Sequence, residues 1–182
     1  SDKGLTKAYD FSSAVKGNLT LYAKWETNSY KVSFQPNGGT AVKTQTVKGG
    51  AKASKPSNPT KTGCTFKGWF SDKGLTKAYD FSSAVKGDLT LYAKWEANSY
   101  TVSFQSNGGT AVKAQAVKYG AKAAKPGDPS RAGYAFRGWF SDKGLTKAYD
   151  FSSAVKGNLT LYAKWQQEAP TSFKDVPSGE WY

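Results

Sequence analysis

Twenty-five residues, SDKGLTKAYDFSSAVKGDLTLYAKW in the middle copy, recur three times in this chain, starting at Ser1, Ser71 and Ser141. The first and third copies are identical, and the middle one differs only in Asp88, where the others carry Asn18 and Asn158. The segments between copies also match, Tyr30 to Phe70 against Tyr100 to Phe140. A fixed period of this size means tandem units that fold alike, so the problem reduces to one unit. Complete units are expected at 26–95 and 96–165. Residues 1–25 read as the back end of a further unit whose front is missing, and 166–182 do not repeat. The chain therefore reads as a piece of a longer protein.

A unit this small buries only roughly 60% of its unfolded surface and needs dense packing from few side chains. Rings supply it: the chain has 6 Trp, 11 Tyr and 10 Phe but no Met. Disulfide staples are excluded by the lone Cys64, and its counterpart Tyr134 in the next unit argues for a small apolar filler over a reactive thiol. There is no apolar run near membrane-spanning length, so no membrane insertion is expected.

Within one unit, Tyr30, Val32 and Phe34 alternate with Lys31 and Ser33, the period of a half-buried strand. Asn37-Gly38-Gly39 marks a turn that should bring Thr40 to Val47 back onto that strand. Gly49 to Thr62, with Pro56, Pro59 and three lysines, reads as an exposed connection. Cys64 to Phe70 is the third strand, with Phe66 and Phe70 expected on one face and Trp69 on the other. Asp80 to Val85 is expected to be a short helical turn capped by Asp80 or Ser82. Leu89 to Trp95 is the clearest strand, with Leu89, Leu91, Ala93 and Trp95 inward. The expected fold is mainly β in an α+β sense, a four-stranded sheet with one short helical turn per unit. Only Glu96 to Ser99 link the units, roughly 13 Å at full stretch, so they should not tumble independently.

Catalysis is not expected. The chain has no His and one Cys, and its carboxylates recur with the repeat. Asp72 and Asp80 sit where turn capping explains them, and a calcium site fails because Asn replaces Asp88 in the other copies. Lys94 invites comparison with Lys–Asn crosslinks, but no acid lies in the paired strands, so a snorkelling lysine is expected. No cofactor and no metal are implied. Asn18-Leu19-Thr20 and Asn158-Leu159-Thr160 fit a glycosylation sequon only by composition.

Charge offers one functional reading. The net charge is +13, and Thr27 to Ser71 holds seven lysines without one Asp or Glu. Lys43, Lys48, Lys52, Lys55, Lys61 and Lys67, with Lys113, Lys118, Lys122, Lys125, Arg131 and Arg137 in the next unit, are candidates for binding a polyanion such as teichoic acid, another cell-wall polysaccharide or a glycosaminoglycan. The alternative is a solvated face that keeps an aromatic-rich protein soluble. Nucleic acid is not expected, since no recognition helix or RNA-binding motif accompanies the charge. Residues 19–25 leave a strand edge bare, which another copy could complete to give a dimer or filament.

Three ordered blocks carry a resemblance: Tyr100-x-Val102-x-Phe104-x-x-Asn107-Gly108-Gly109; Gly133-Tyr134-x-Phe136-x-Gly138-Trp139-Phe140; and Tyr149-Asp150-Phe151 with Leu159 to Trp165. They resemble the Listeria-Bacteroides repeat, or internalin B-repeat, family. The resemblance implies small β-grasp-like domains in tandem on secreted bacterial surface proteins, serving as stalk, spacer or adhesive module; the alternative reading is a binding module whose basic faces recognise a polyanion or a host receptor. Lysine-richness departs from many members of that family. Phe173 to Trp181 (FKDVPSGEW) resembles the opening of an S-layer homology domain, which would imply attachment to the wall of a Gram-positive cell, with Ala169-Pro170 as linker.

Overall fold

The structure is a computed structural model and describes residues 3–169. The residues that resemble an S-layer homology domain lie outside that range. The chain divides into two compact units, one of Ser1–Pro59 with Gly68–Lys94, the other of Thr60–Lys67 with Trp95–Tyr182.

Among the described residues, eight strands form two four-stranded sheets: β1 (Ser29–Gln35), β2 (Gln45–Lys48), β3 (Cys64–Phe70) and β4 (Leu89–Ala97) in order β2-β1-β4-β3, and β5 (Ser99–Gln105), β6 (Gln115–Lys118), β7 (Tyr134–Phe140) and β8 (Leu159–Gln167) in order β6-β5-β8-β7. The alternation expected of the first strand holds, with Val32 and Phe34 buried and Lys31 exposed. The central pair is parallel: Val32 stands opposite Leu89 and Gln35 opposite Tyr92, and the second sheet repeats this with Val102 opposite Leu159. Parallel neighbours need a long connection. Here it contains two further strands, so the first and last strands of each repeat meet at the centre of its sheet.

Three details depart from the sequence reading. The Asn-Gly turn forms, with Asn37 at φ 48° and Gly39 N–H donating to Pro36 O at 3.0 Å, but antiparallel pairing starts only at Gln45. The intervening residues do not pair back, and the Asn37 side chain instead donates to Ala93 O of β4 at 2.8 Å.

Secondly, Gly138 at φ 112° bulges β7, so Phe136 faces Trp165 and Trp139 faces Ala163, three steps on one strand against two on the other. Phe136 therefore joins Trp139 on the core side, their rings 5.5 Å apart, while Phe140 goes to the opposite face under the Lys164 ammonium. Phe66 and Phe70 were expected on one face with Trp69 opposite. The ring contacts reverse that grouping: Phe66 meets Trp95, Trp69 meets Phe34, and Phe70 lies under Lys94.

Thirdly, Asp80 to Val85 is a single turn, with Ser83 N–H donating to Asp80 O at 3.0 Å, and no helix occurs among the described residues. A helix would send the Val85 N–H to Phe81. It goes instead to Ala51 O at 2.8 Å, and one turn alone cannot meet the cost of helix nucleation.

The core of the second repeat comprises Val102, Phe104, Val117, Ala123, Trp139, Val155, Leu161 and Ala163, with Phe136, Tyr149, Phe151 and Trp165 packed against it. Phe104 meets Trp139 edge-on at 4.9 Å and Phe136 meets Trp165 at 5.4 Å, the tilted geometry that ring quadrupoles favour. The last strand behaves as expected: Leu91, Ala93, Leu161 and Ala163 are fully buried.

Candidate interaction surfaces

The carboxylates hold turns. Asp72 accepts from Lys77 N–H at 2.7 Å and from Thr76 N–H and Oγ1. These bonds, the Lys77 backbone N–H first, keep its carboxyl below the usual range, and Asp142 repeats the arrangement. This closes a loop in which Leu75 and Leu145 take φ 55°, a left-handed conformation unusual for leucine. Asp80 accepts from Ser82 N–H at 2.8 Å and from the Ser82 and Ser83 hydroxyls, which lower its pKa; Lys52 adds a smaller push in the same direction. Among the described residues, no three His, Cys, Asp or Glu side chains come together.

Lys94 donates to Leu75 O at 3.2 Å and lies 4.9 Å from the centre of the Phe70 ring, and Lys164 does the same with Leu145 and Phe140. The ammonium caps the loop and covers an aromatic face. Cys64 is half-buried and free. Where the second repeat stacks Arg131 over Tyr134 at 3.8 Å, the first has Lys61 and Cys64, and Lys61 lies 5.9 Å from the Trp95 ring.

The twelve basic candidates divide by role. Lys67 pairs with Glu96 at 2.7 Å, Lys118 donates to Ala97 O, Arg131 donates to Asn107 O, Arg137 donates to Gln166 at 2.8 Å, and Lys125 is 3.9 Å from Asp128. Each of these cations thus has a partner within its own repeat or the connection that follows it. Lys43, Lys48, Lys52, Lys55, Lys113 and Lys122 are exposed. Of these, the structure brings Lys48 and Lys52 together on one shallow groove beside β2, with Gln45 and Ser54.

The connection between repeats is shorter than the sequence suggested. Strand β4 runs to Ala97 and β5 begins at Ser99, leaving only Asn98. Its N–H donates to Gly63 O at 2.9 Å, its carbonyl accepts from Tyr119 N–H at 2.8 Å, and its side-chain oxygen accepts from the Thr65 hydroxyl at 2.7 Å. Gly63 is at φ +69°, and a Cβ there would run into the Tyr119 ring.

A different surface lies on residues 3–25. Phe11, Val15, Leu19, Leu21, Tyr22 and Trp25 are exposed, Trp25 at 88%, and a cleft of about 400 Å³ runs between Leu5, Tyr9, Phe11, Leu21 and Tyr22. The sequence reading named 19–25 but missed Phe11 and Val15, whose apolar side chains in an otherwise polar turn were the available signal.

Residues 1–24, 30–94 and 100–164 each match the Listeria-Bacteroides repeat domain. The chain belongs to that family. Among its relatives is a protein of Evansella cellulosilytica named as a Gly-rich membrane protein, 47% identical over 91% of this chain and 19% of that protein. A second protein of that organism, named as a membrane protein, is 45% identical over 86% of this chain and 24% of its own length. Internalin H of Listeria monocytogenes is 35% identical over 76% of this chain and 25% of its own length. The chain thus spans about a fifth to a quarter of each relative. No helix among the described residues is long and apolar enough to cross a membrane.

Proposed function

We propose that this chain is the repeat array of an extracellular bacterial surface protein, a stalk or spacer with an adhesive role, and has no enzymatic activity. The observation that carries this reading is the same sheet built twice in succession, with the same strand order and the same central parallel register. Relatives named as membrane proteins and as an internalin support a surface location. We place the repeat boundaries at 1–25, 26–95 and 96–165, with 166–182 as linker and wall-attachment segment. We take the mixed sheet, parallel at its centre, as a reduced β-grasp. Deleting residues 96–165 from the parent protein should shorten the array and lower antibody access to an upstream epitope on intact cells. Unchanged access, or no labelling of intact cells with or without the deletion, overturns the spacer reading.

A second reading is favoured by the paired exposure of Lys48 and Lys52 in one groove, repeated in sequence by Lys118 and Lys122. Here the basic faces would hold a wall polysaccharide, a glycosaminoglycan or an acidic host receptor through many weak contacts. Retention on immobilised heparin or teichoic acid should fall steeply with salt and drop several-fold in K48Q/K52Q. Equal retention of the variant removes this reading and leaves the spacer reading standing.

A further inference from the structure

Two asparagines of this chain are followed by glycine, Asn37 and Asn107, and the fold uses both in the same way. The parallel pairing of the first repeat ends with Gln35 opposite Tyr92, and that of the second with Gln105 opposite Tyr162. The next residue of the closing strand, Ala93 or Ala163, is fully buried, and its carbonyl accepts from the Asn37 or Asn107 side-chain amide at 2.8 Å. The amide thus stands in for a backbone N–H and carries the pairing one step further, across 56 residues of sequence. It does so from a residue at φ 48°, a left-handed conformation that asparagine tolerates.

Asn-Gly is also the pair in which the side-chain amide is most open to attack by the next backbone nitrogen, because glycine has no side chain to crowd it. The glycine nitrogen bonds to the asparagine Cγ and gives up its proton, and the Cγ–Nδ2 bond breaks with release of ammonia, leaving a five-membered succinimide. Water then opens the ring. Breaking the new bond gives aspartate, and breaking the original peptide bond gives isoaspartate. The other asparagines are poorer substrates: Asn18 and Asn158 precede leucine, Asn28 and Asn98 precede serine, and Asn58 precedes proline, which has no N–H.

The folded turn restrains both reacting groups. In the second repeat the carboxamide is tied to Ala163 O, and the peptide that contains the attacking nitrogen is tied through Asn107 O to the Arg131 guanidinium at 3.1 Å. Ser106 Oγ donates to Gly109 O at 2.9 Å, and Gly109 N–H donates to Ser106 O at 3.0 Å, closing the turn around them. The succinimide demands a backbone torsion outside the left-handed well and takes the amide nitrogen from Ala163 O, so the turn must open before the ring can close.

The products cannot resume the role. An ionised carboxylate has no proton to donate and sets a negative charge against the Ala93 or Ala163 oxygen, leaving a buried acceptor unsatisfied. Isoaspartate adds a methylene to the main chain of a turn closed tightly enough for Gly39 N–H to reach Pro36 O at 3.0 Å.

We propose that Asn37 and Asn107 are latent deamidation sites: the closed repeat keeps each as the amide, and opening of its central strand pair releases it for conversion to aspartate or isoaspartate. A repeat held open long enough to convert closes less firmly afterwards. The array therefore carries a one-way record of its own opening, whether it serves as spacer or as polyanion binder.

The test incubates the full chain in mildly alkaline buffer, either folded or in enough guanidinium chloride to unfold it, and follows both sites by peptide mapping and mass spectrometry. Conversion at Asn37 and Asn107 should be about tenfold or more slower in the folded chain, since it waits on local opening. Equal rates in the two samples overturn the proposal. The consequence is read on the double variant Asn37→Asp, Asn107→Asp, which should unfold at a lower denaturant concentration than the unsubstituted chain. That deficit should shrink in acid, where a protonated carboxyl again donates to the strand carbonyl. An unchanged midpoint at neutral pH overturns the proposal. Should the variant fail to fold, unsubstituted chain aged in denaturant and then refolded gives the same reading: its deamidated fraction should unfold first, and a midpoint equal to that of fresh chain overturns the proposal.

Discussion

Residues 3–25 and 143–165 are the same peptide in two settings. Their turns agree to within a few degrees and tenths of an ångström, including leucine in a left-handed conformation, aspartate capping two serines, and a tyrosine edge-on to a phenylalanine. Their last seven residues do not agree. Leu161 and Ala163 are fully buried in β8, while Leu21 is 44% exposed and belongs to no strand. The turns hold because their partners are two to five residues away in sequence. The strand of the complete repeat is held from far away, by Val102 to Gln105 of β5 and by the Thr101 N–H, which donates to Asn158 57 residues on.

This contrast can be broken most strongly at its apolar core. Leu161→Ala should destabilise the second repeat by about 2–5 kcal/mol in denaturant unfolding, whereas Leu21→Ala in the identical sequence should change stability by no more than about 0.5 kcal/mol. Equal effects would mean that Leu19 to Trp25 is packed in solution.

Gly109→Ala should cost about 1–3 kcal/mol, because the new methyl group occupies the place of the Trp165 ring. Fluorescence should show Trp165 becoming more solvent-exposed, toward the state of Trp25. A smaller effect is expected for Asp88→Asn, which makes the middle copy identical to the others. Lys31 N–H keeps an acceptor, as Thr101 N–H does at Asn158, so thermal unfolding should move by about 0.5 kcal/mol or less.

The finest comparison is by pH. Hydrogen bonds, from Ser12 or Ser152 first, hold the Asp10 and Asp150 carboxyls below the ordinary range. A depressed folded-state pKa contributes stability that is present above the unfolded value near 3.8 and is lost as pH falls below it. Carboxyl resonances followed through acid titration should therefore show both groups depressed alike. An ordinary value at Asp10 alone would show that its turn, too, depends on the covering front segment.

Much of each repeat was legible in residues alone. Strand β3 begins and ends where the pattern placed it, and Leu91 and Ala93 face the core as their alternation requires. The interior glycine at 138 was a legible signal of a bulge that the strict two-residue period obscured, and the grouping of Phe66, Trp69 and Phe70 was misread in consequence. The parallel register of β1 with β4 was not legible, because nothing local distinguishes a strand that will run beside its first neighbour from one that will run against it. The lysine candidates show the same limit: sequence marked twelve cations, and only the fold separated Lys67 and Arg137, spent on Glu96 and Gln166, from Lys48 and Lys52 facing one groove.

By itself, then, the sequence determined the repeat, its turns and which side chains seek a core, since these follow from identity at fixed spacing and from bonds spanning a few residues. The tertiary structure decided whether LTLYAKW is a strand. A strand's backbone groups are satisfied only by a neighbour brought from far along the chain, as Val102 to Gln105 are brought beside Leu159 to Tyr162 of β8.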